Sequence, residues 1–200
     1  MPEPLGAVGQ LVLTSLAIMG SPGPATISLT AAGSAHGVRR SLGYLAGIVI
    51  GTWLVLVAVA TGITAALLAL PALRIALLAV SAAYILWLAY HLATAPPLAA
   101  QPEGSKAPSL AGGTTLGVAN PKAWVAIAAV FASAHLAEGA ASDALSKAAV
   151  LSAMVVLINA TWLLAGASLA PLLRDARRSR VVNVSLAVLL VGATAAAILH

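Results

Sequence analysis

Six long apolar stretches, none of them containing an aspartate or glutamate, limit this chain to one environment. They lie near residues 5–33, 41–68, 73–93, 110–136, 145–170 and 181–199. A bilayer's hydrocarbon core, roughly 30 Å thick, takes about 20 apolar residues per helix, so each stretch is long enough to cross. Strands are excluded, because these runs of Leu, Ala, Val and Ile do not alternate with period two and lipid cannot satisfy an open sheet edge. The expected fold class is therefore all-α integral membrane, with six transmembrane helices. Composition agrees: 61% of the 200 residues are hydrophobic and 8% charged, where soluble domains carry roughly 25% charged residues. Five acidic side chains cannot solvate a globule of 19.8 kDa. The whole chain, 1–200, reads as a single transmembrane domain.

The formal net charge is +5. Its basic residues sit in short clusters between apolar runs, which points to a membrane surface and not to nucleic acid. Cysteine is absent, so thiol redox chemistry, cysteine nucleophiles and cysteine metal sites are excluded. No basic n-region precedes the first apolar stretch, which is expected to stay as a helix. Neither a cofactor nor a resident metal is expected.

Orientation follows from Lys and Arg. The connections after spans one, three and five hold Arg39, Arg40, Lys106, Arg174, Arg177, Arg178 and Arg180, and the other side only Arg74 and Lys147. Those three connections are expected in the cytoplasm and both termini outside, with Glu3, Glu138 and Asp143 on the outer side.

Segments of the two halves match. Pro22 aligns with Pro121, and Ser34-Ala35-His36 with Ser133-Ala134-His135, at an offset of 99 residues. Thr52-Trp53-Leu54 matches Thr161-Trp162-Leu163 at an offset of 109. Matches in the same order suggest a duplicated three-helix unit: repeat one about 1–94, a linker about 95–109, repeat two about 110–200. An odd helix number per unit makes the copies inverted.

The aligned prolines interrupt the first helix of each repeat, at Ser21-Pro22-Gly23-Pro24 and Asn120-Pro121-Lys122. Ser and Asn are N-cap residues, and proline is favoured at the first helical position. Each segment therefore reads as a helix that stops and restarts at membrane depth. The freed amides need a cavity, and the restarted helix presents a positive dipole end suited to a carboxylate. Two such breaks point to a midplane solute site; simple proline kinks are the plainer reading. Lys122 lies about a dozen residues from either end of its span, where a charge is costly unless it faces a cavity or a partner. No acidic residue within a span is available to pair with it.

Other polar residues are less decisive. Asn159 is placed to hydrogen-bond across helices or to contact a solute, and Tyr84 to line a pathway. His36 and His135 fall near helix ends, and Trp53, Trp87 and Trp162 read as packing or interface residues. Gly43, Gly47 and Gly51 form a GxxxGxxxG stripe that permits close helix contact, either within one chain or between two chains of a homodimer.

Ser21-Pro22-Gly23-Pro24, the glycines Gly37, Gly43, Gly47 and Gly51, Ala83-Tyr84-Ile85-Leu86-Trp87-Leu88, and Asn120-Pro121-Lys122-Ala123 resemble the lysine-exporter family (LysE/RhtB) over nearly the whole chain. The resemblance implies a bacterial inner-membrane exporter of amino acids or related small metabolites, driven by the proton gradient. Carried across, it makes Pro22, Gly23, Pro24, Asn120, Pro121 and Lys122 site residues. Many members have an acidic residue about where this chain has Asn159.

The expected function is thus a secondary exporter working by alternating access, with an amino acid as its small-molecule partner. A divalent-cation exporter of the same superfamily and a non-transporting assembly subunit are the rivals. The lack of membrane carboxylates disfavours the first of these, since such cations want carboxylate oxygens. An intramembrane protease would need a nucleophilic serine beside histidine, or paired aspartates, and neither pattern is found.

Overall fold

The computed structural model describes residues 4–62, 71–94, 107–171 and 175–199. Among them are seven helices and no strand: α1 (Pro4–Ile18), α2 (Pro24–Ala60), α3 (Pro71–Ala93), α4 (Leu110–Ala119), α5 (Pro121–Ala132), α6 (Ala140–Ser168) and α7 (Ala176–Leu199). By length and apolarity, α2 and α6 can each cross a membrane, and α4 with α5, bent by 60° at their junction, would make a third such span. Residues 63–70, most of the 95–109 linker, and Glu3, Lys106 and Arg174 from the orientation argument lie outside the described residues.

The expected division between spans one and two takes an unexpected form. No loop separates them: residues 34–40 are helical except for Gly37, whose φ of 74° and ψ of 169° interrupt α2. A straight helix of 37 residues would be about 55 Å long, nearly twice the hydrocarbon thickness. It is not straight. The Ser41 hydroxyl donates to the Ala32 carbonyl at 3.1 Å, although a continuous helix separates residues nine apart by about 13 Å. Further along, the Ser28 and Tyr44 hydroxyls are hydrogen-bonded to each other. Helix α2 is thus a hairpin of two arms, residues 24–36 and 38–60, folded about a single glycine. That backbone region is essentially open to glycine alone.

The hairpin organises the chain, packing against α4, α5, α6 and α7, while α3 packs on α7 and α1 lies against α5 and α6. Backbones approach closely at two glycine crossings. A Cβ on Gly47 would fall on the Leu110 carbonyl oxygen and 2.9 Å from Thr114 N, and one on Gly51 would meet Gly117 Cα at 2.9 Å. Gly113 and Gly117 of α4 answer from the other side, where an added Cβ would lie 2.9 Å from Ile48 N and Thr52 N respectively. Gly33 and Gly166 form the second crossing, between the first arm of α2 and α6. The question left open by the stripe is settled for two of its members, Gly47 and Gly51, which pack within the chain; Gly43 has nothing within 4 Å. Leu11, Val55, Ile127 and Leu151 fill one buried cluster, and Ile27, Tyr44, Ile85, Leu116 and Leu190 another. Leu13, Leu54, Val57, Leu145 and Leu157 are exposed, an apolar exterior suited to lipid.

Candidate functional site

Both proline breaks are present, and they meet. At the first, α1 ends at Ile18, and the chain resumes as α2 at Pro24. The N-cap is Gly23, extended at φ −165° and ψ 179°. Its N–H donates to the Thr26 hydroxyl at 2.8 Å, which donates back to the Gly23 carbonyl at 3.1 Å. This corrects the expectation that Ser21 caps a helix begun by Pro22: the Ser21 hydroxyl turns back to the Ile18 carbonyl at 2.8 Å, and the proline at the first helical position is Pro24. At the second break the expected pattern holds. Asn120 caps α5, its side-chain oxygen accepting from Lys122 N at 3.2 Å, with Pro121 opening the helix. The proline that opens a helix as Pro121 does is therefore Pro24 and not Pro22.

Stopping a helix frees carbonyls at its C-terminal end. Here each break has a tryptophan to receive one. The Trp162 indole N–H of α6 donates to the Gly20 carbonyl at 3.1 Å, and Trp124 of α5 donates to the Val118 carbonyl at 2.7 Å. Trp162 is thus more than the packing residue expected. Lys122 joins the breaks: its ammonium donates to the Ser21 carbonyl and, at 3.3 Å, to that of Pro22. The lysine stem runs over Gly23, where a Cβ would lie 2.5 Å from Lys122 Cδ. Glycine at position 23 leaves the space through which the ammonium reaches the first break.

Between the breaks is a cavity of about 40 Å³, lined among others by Gly23, Thr26, Thr52, Asn120, Lys122 and Asn159. About 10–15 Å³ of such volume holds one water molecule, so the space admits a few waters and is smaller than an amino acid needs. Among the described residues Asn159 makes no bond across helices: its amide donates to the Val155 carbonyl of its own helix at 2.8 Å, and its buried Oδ1 has no partner there. Two helix N-termini and an ammonium thus border one space, with the Asn159 side chain in its wall. Dipole ends and a cation of that kind receive a carboxylate, and an amide oxygen receives an ammonium.

Of the residues singled out from sequence, Gly23, Asn120, Lys122 and Asn159 line this cavity, Ser21 and Pro22 supply carbonyls, and Pro24 and Pro121 open the helices. Tyr84 is elsewhere: its hydroxyl donates to the Gly112 carbonyl at 3.1 Å, and it lines a second, larger cavity. Thr26 and Thr52 were missed. Thr52 belongs to the repeated Thr-Trp-Leu segment and Thr26 stands three residues after the cap, and both signals were available.

The described residues hold one ion pair, away from this cavity. Asp143 and Lys147 of α6 meet at 2.7 Å. The aspartate also accepts from Leu136 N at 2.6 Å, and the lysine lies 5.0 Å from the Phe131 ring centre. It fastens the α5–α6 connection.

The chain is 44% identical over 77 residues to the cysteine/O-acetylserine efflux proteins of Salmonella choleraesuis and Salmonella typhi. That match covers 38% of this chain and 39% of each relative. No solved structure matches the chain. The model of the LysE type translocators matches residues 9–199, nearly the whole chain, and the chain, built of apolar helices, belongs to that family.

Proposed function

We propose that the protein is a secondary exporter of small amino acids or related amphoteric metabolites across the bacterial inner membrane. Six spans form two inverted three-helix units, about 1–94 and 110–200, whose first helices are broken at Pro24 and Pro121. Rocking of one unit against the other opens the inner cavity alternately to either side. The solute carboxylate engages Lys122 and the N-termini of α2 and α5, and its ammonium engages Asn159 Oδ1. Both chain termini are on the outer side, and the proton gradient drives export. The partial relatives named for cysteine and O-acetylserine efflux support a neutral, short side chain.

The observation that carries this reading is the Lys122 ammonium, held among the described residues by the Ser21 and Pro22 carbonyls, where two helices begin. A cation neutralised by carbonyl dipoles and not by a carboxylate favours an arriving anion. The test is uptake of labelled O-acetylserine and cysteine by inverted vesicles or proteoliposomes. Lys122→Ala should reduce uptake about 10- to 150-fold, the range expected for one hydrogen bond to a charged group. Dissipating the proton gradient should abolish accumulation. Unchanged uptake by a folded Lys122→Ala protein would remove the lysine from the mechanism.

A further inference from the structure

The second cavity, about 470 Å³, is more than ten times the volume of the first. Its lining includes Ser28, His36, Tyr44, Tyr84, Trp87 and His91. Tyr84 and Trp87 are stacked at 5.7 Å, and Trp87 meets the His91 ring edge-on at 4.5 Å. His36 Nδ1 is buried without a hydrogen-bond partner among the described residues.

Its position relates it to the inner cavity. Along the first arm of α2, Gly23, Ala25 and Thr26 line the inner cavity, while Ser28, Ala31, Ala32, Ala35 and His36 line the larger one. The two spaces are consecutive on one helix. At their boundary the Ser28–Tyr44 hydrogen bond joins the two arms of the hairpin. Its lining reaches His36, which precedes Gly37 and the Arg39-Arg40 pair in sequence, at the turn of the hairpin expected to face the cytoplasm.

We propose that this aromatic cavity is a second solute-binding site, a vestibule that holds an amino-acid zwitterion before it passes the Ser28–Tyr44 contact into the inner cavity. The chemistry is complementary at both ends of such a solute. An ammonium is attracted to the faces of Trp87 and Tyr84. A carboxylate finds the His36 imidazole in the cavity wall, within the positive field of Arg39 and Arg40, which follow it in sequence. The volume is within the range of small-molecule pockets, which the inner cavity is not. Assignment of the solute as an amino acid rests on the exporter reading above; the existence of a second site does not need Lys122.

The absence of native cysteine makes the test direct. Ala35→Cys places a single thiol in the vestibule wall, and its reaction with a small thiosulfonate is timed with and without O-acetylserine or cysteic acid. The solute should slow labelling at least about 5-fold, equally in the wild-type and Lys122→Ala backgrounds. Adding Trp87→Ala should weaken protection about 3- to 10-fold, in keeping with loss of a cation–π contact. Because Trp87 is more than half exposed, that substitution leaves the core intact; Tyr84→Phe, which keeps the ring, should retain protection. Protection lost in Lys122→Ala but kept in Trp87→Ala would overturn the second site and leave the exporter reading standing. Labelling that no solute alters would overturn the vestibule whatever transport shows. Transport without Lys122 dependence, with protection intact, would instead count against the inner site alone.

Discussion

Adding one methyl group at Gly47 should destabilise the protein, while the same change at Gly43, one helical turn away, should stabilise it. A Cβ at Gly47 would lie on the Leu110 carbonyl oxygen and 2.9 Å from both Leu110 C and Thr114 N, well short of the 3.4 Å of ordinary contact. All of these neighbours are backbone, so no rotamer change relieves the clash and α4 must move away from the hairpin. Overpacking of this kind costs about 1–3 kcal/mol, and the rigid neighbours place Gly47 at the upper end. Alanine's higher helix propensity returns about 1 kcal/mol, leaving a net loss of about 1–2 kcal/mol. Gly43 has nothing within 4 Å, so Gly43→Ala keeps only the propensity gain, up to about 1 kcal/mol. Thermal unfolding of both variants in detergent, followed by tryptophan fluorescence, measures the difference. At about 2–4 °C per kcal/mol for a chain of this size, the two midpoints should separate by roughly 4–12 °C. Equal midpoints, or a destabilised Gly43→Ala, would show that the stripe does not pack against α4 as described.

Gly37→Ala forces a side chain into φ 74°, ψ 169° and should cost about 1–3 kcal/mol, read by the same melt. Lys147→Met leaves Asp143 buried and unpaired near the start of α6; a loss of about 2–3 kcal/mol is expected, partly recovered in the Asp143→Asn/Lys147→Met double variant, by thermal unfolding. Trp162→Phe deprives the Gly20 carbonyl of its donor and should lower stability by about 1–2 kcal/mol, with increased amide exchange confined to the first break. Stability equal to wild type in any of these would remove the corresponding contact from the account.

What could be read in advance divides along physical lines. Asn120-Pro121 was legible because an amide cap followed by proline has one good helical solution. Pro-Gly-Pro has two, and either proline could open the helix. The choice fell on Pro24 because Thr26, three residues after Gly23, closes the capping pair, and because Gly23 accommodates the Lys122 stem, a fact that depends on α5, about 100 residues away. The Gly37 hairpin was visible only as a boundary, since a single non-helical residue leaves no loop composition behind. Tyr84 was recognised as polar and within a span, but its cavity is set by how α3 meets α4, which helix periodicity does not encode. Asp143 and Lys147 stand four apart, a readable pairing distance, and only the α5–α6 connection folding over them makes the pair buried.

The way the broken ends are satisfied bears on how the proposed site would work. At each break the C-terminal carbonyls are taken by donors of this chain: Gly20 by Trp162, Val118 by Trp124, Ser21 and Pro22 by Lys122. The positive N-terminal ends at Pro24 and Pro121 remain directed at the inner cavity, so polarity alone selects an anion over a cation. Only one of these donors can change partner without moving a helix. The indoles are fixed by their rings, whereas Lys122 has a flexible stem and a freely rotating ammonium. A carboxylate that binds it must therefore draw it from Ser21 and Pro22, exchanging hydrogen bonds worth about 0.5–1.5 kcal/mol each. That exchange lowers affinity, which an exporter working from a concentrated side tolerates. It also unties the first break from α5 at the moment the solute arrives. In this reading, one lysine makes solute binding and freedom of the two repeats to rock the same event. Lys122→Arg is the discriminating variant: it keeps the charge but, with its longer planar head, should bind solute while transporting slowly.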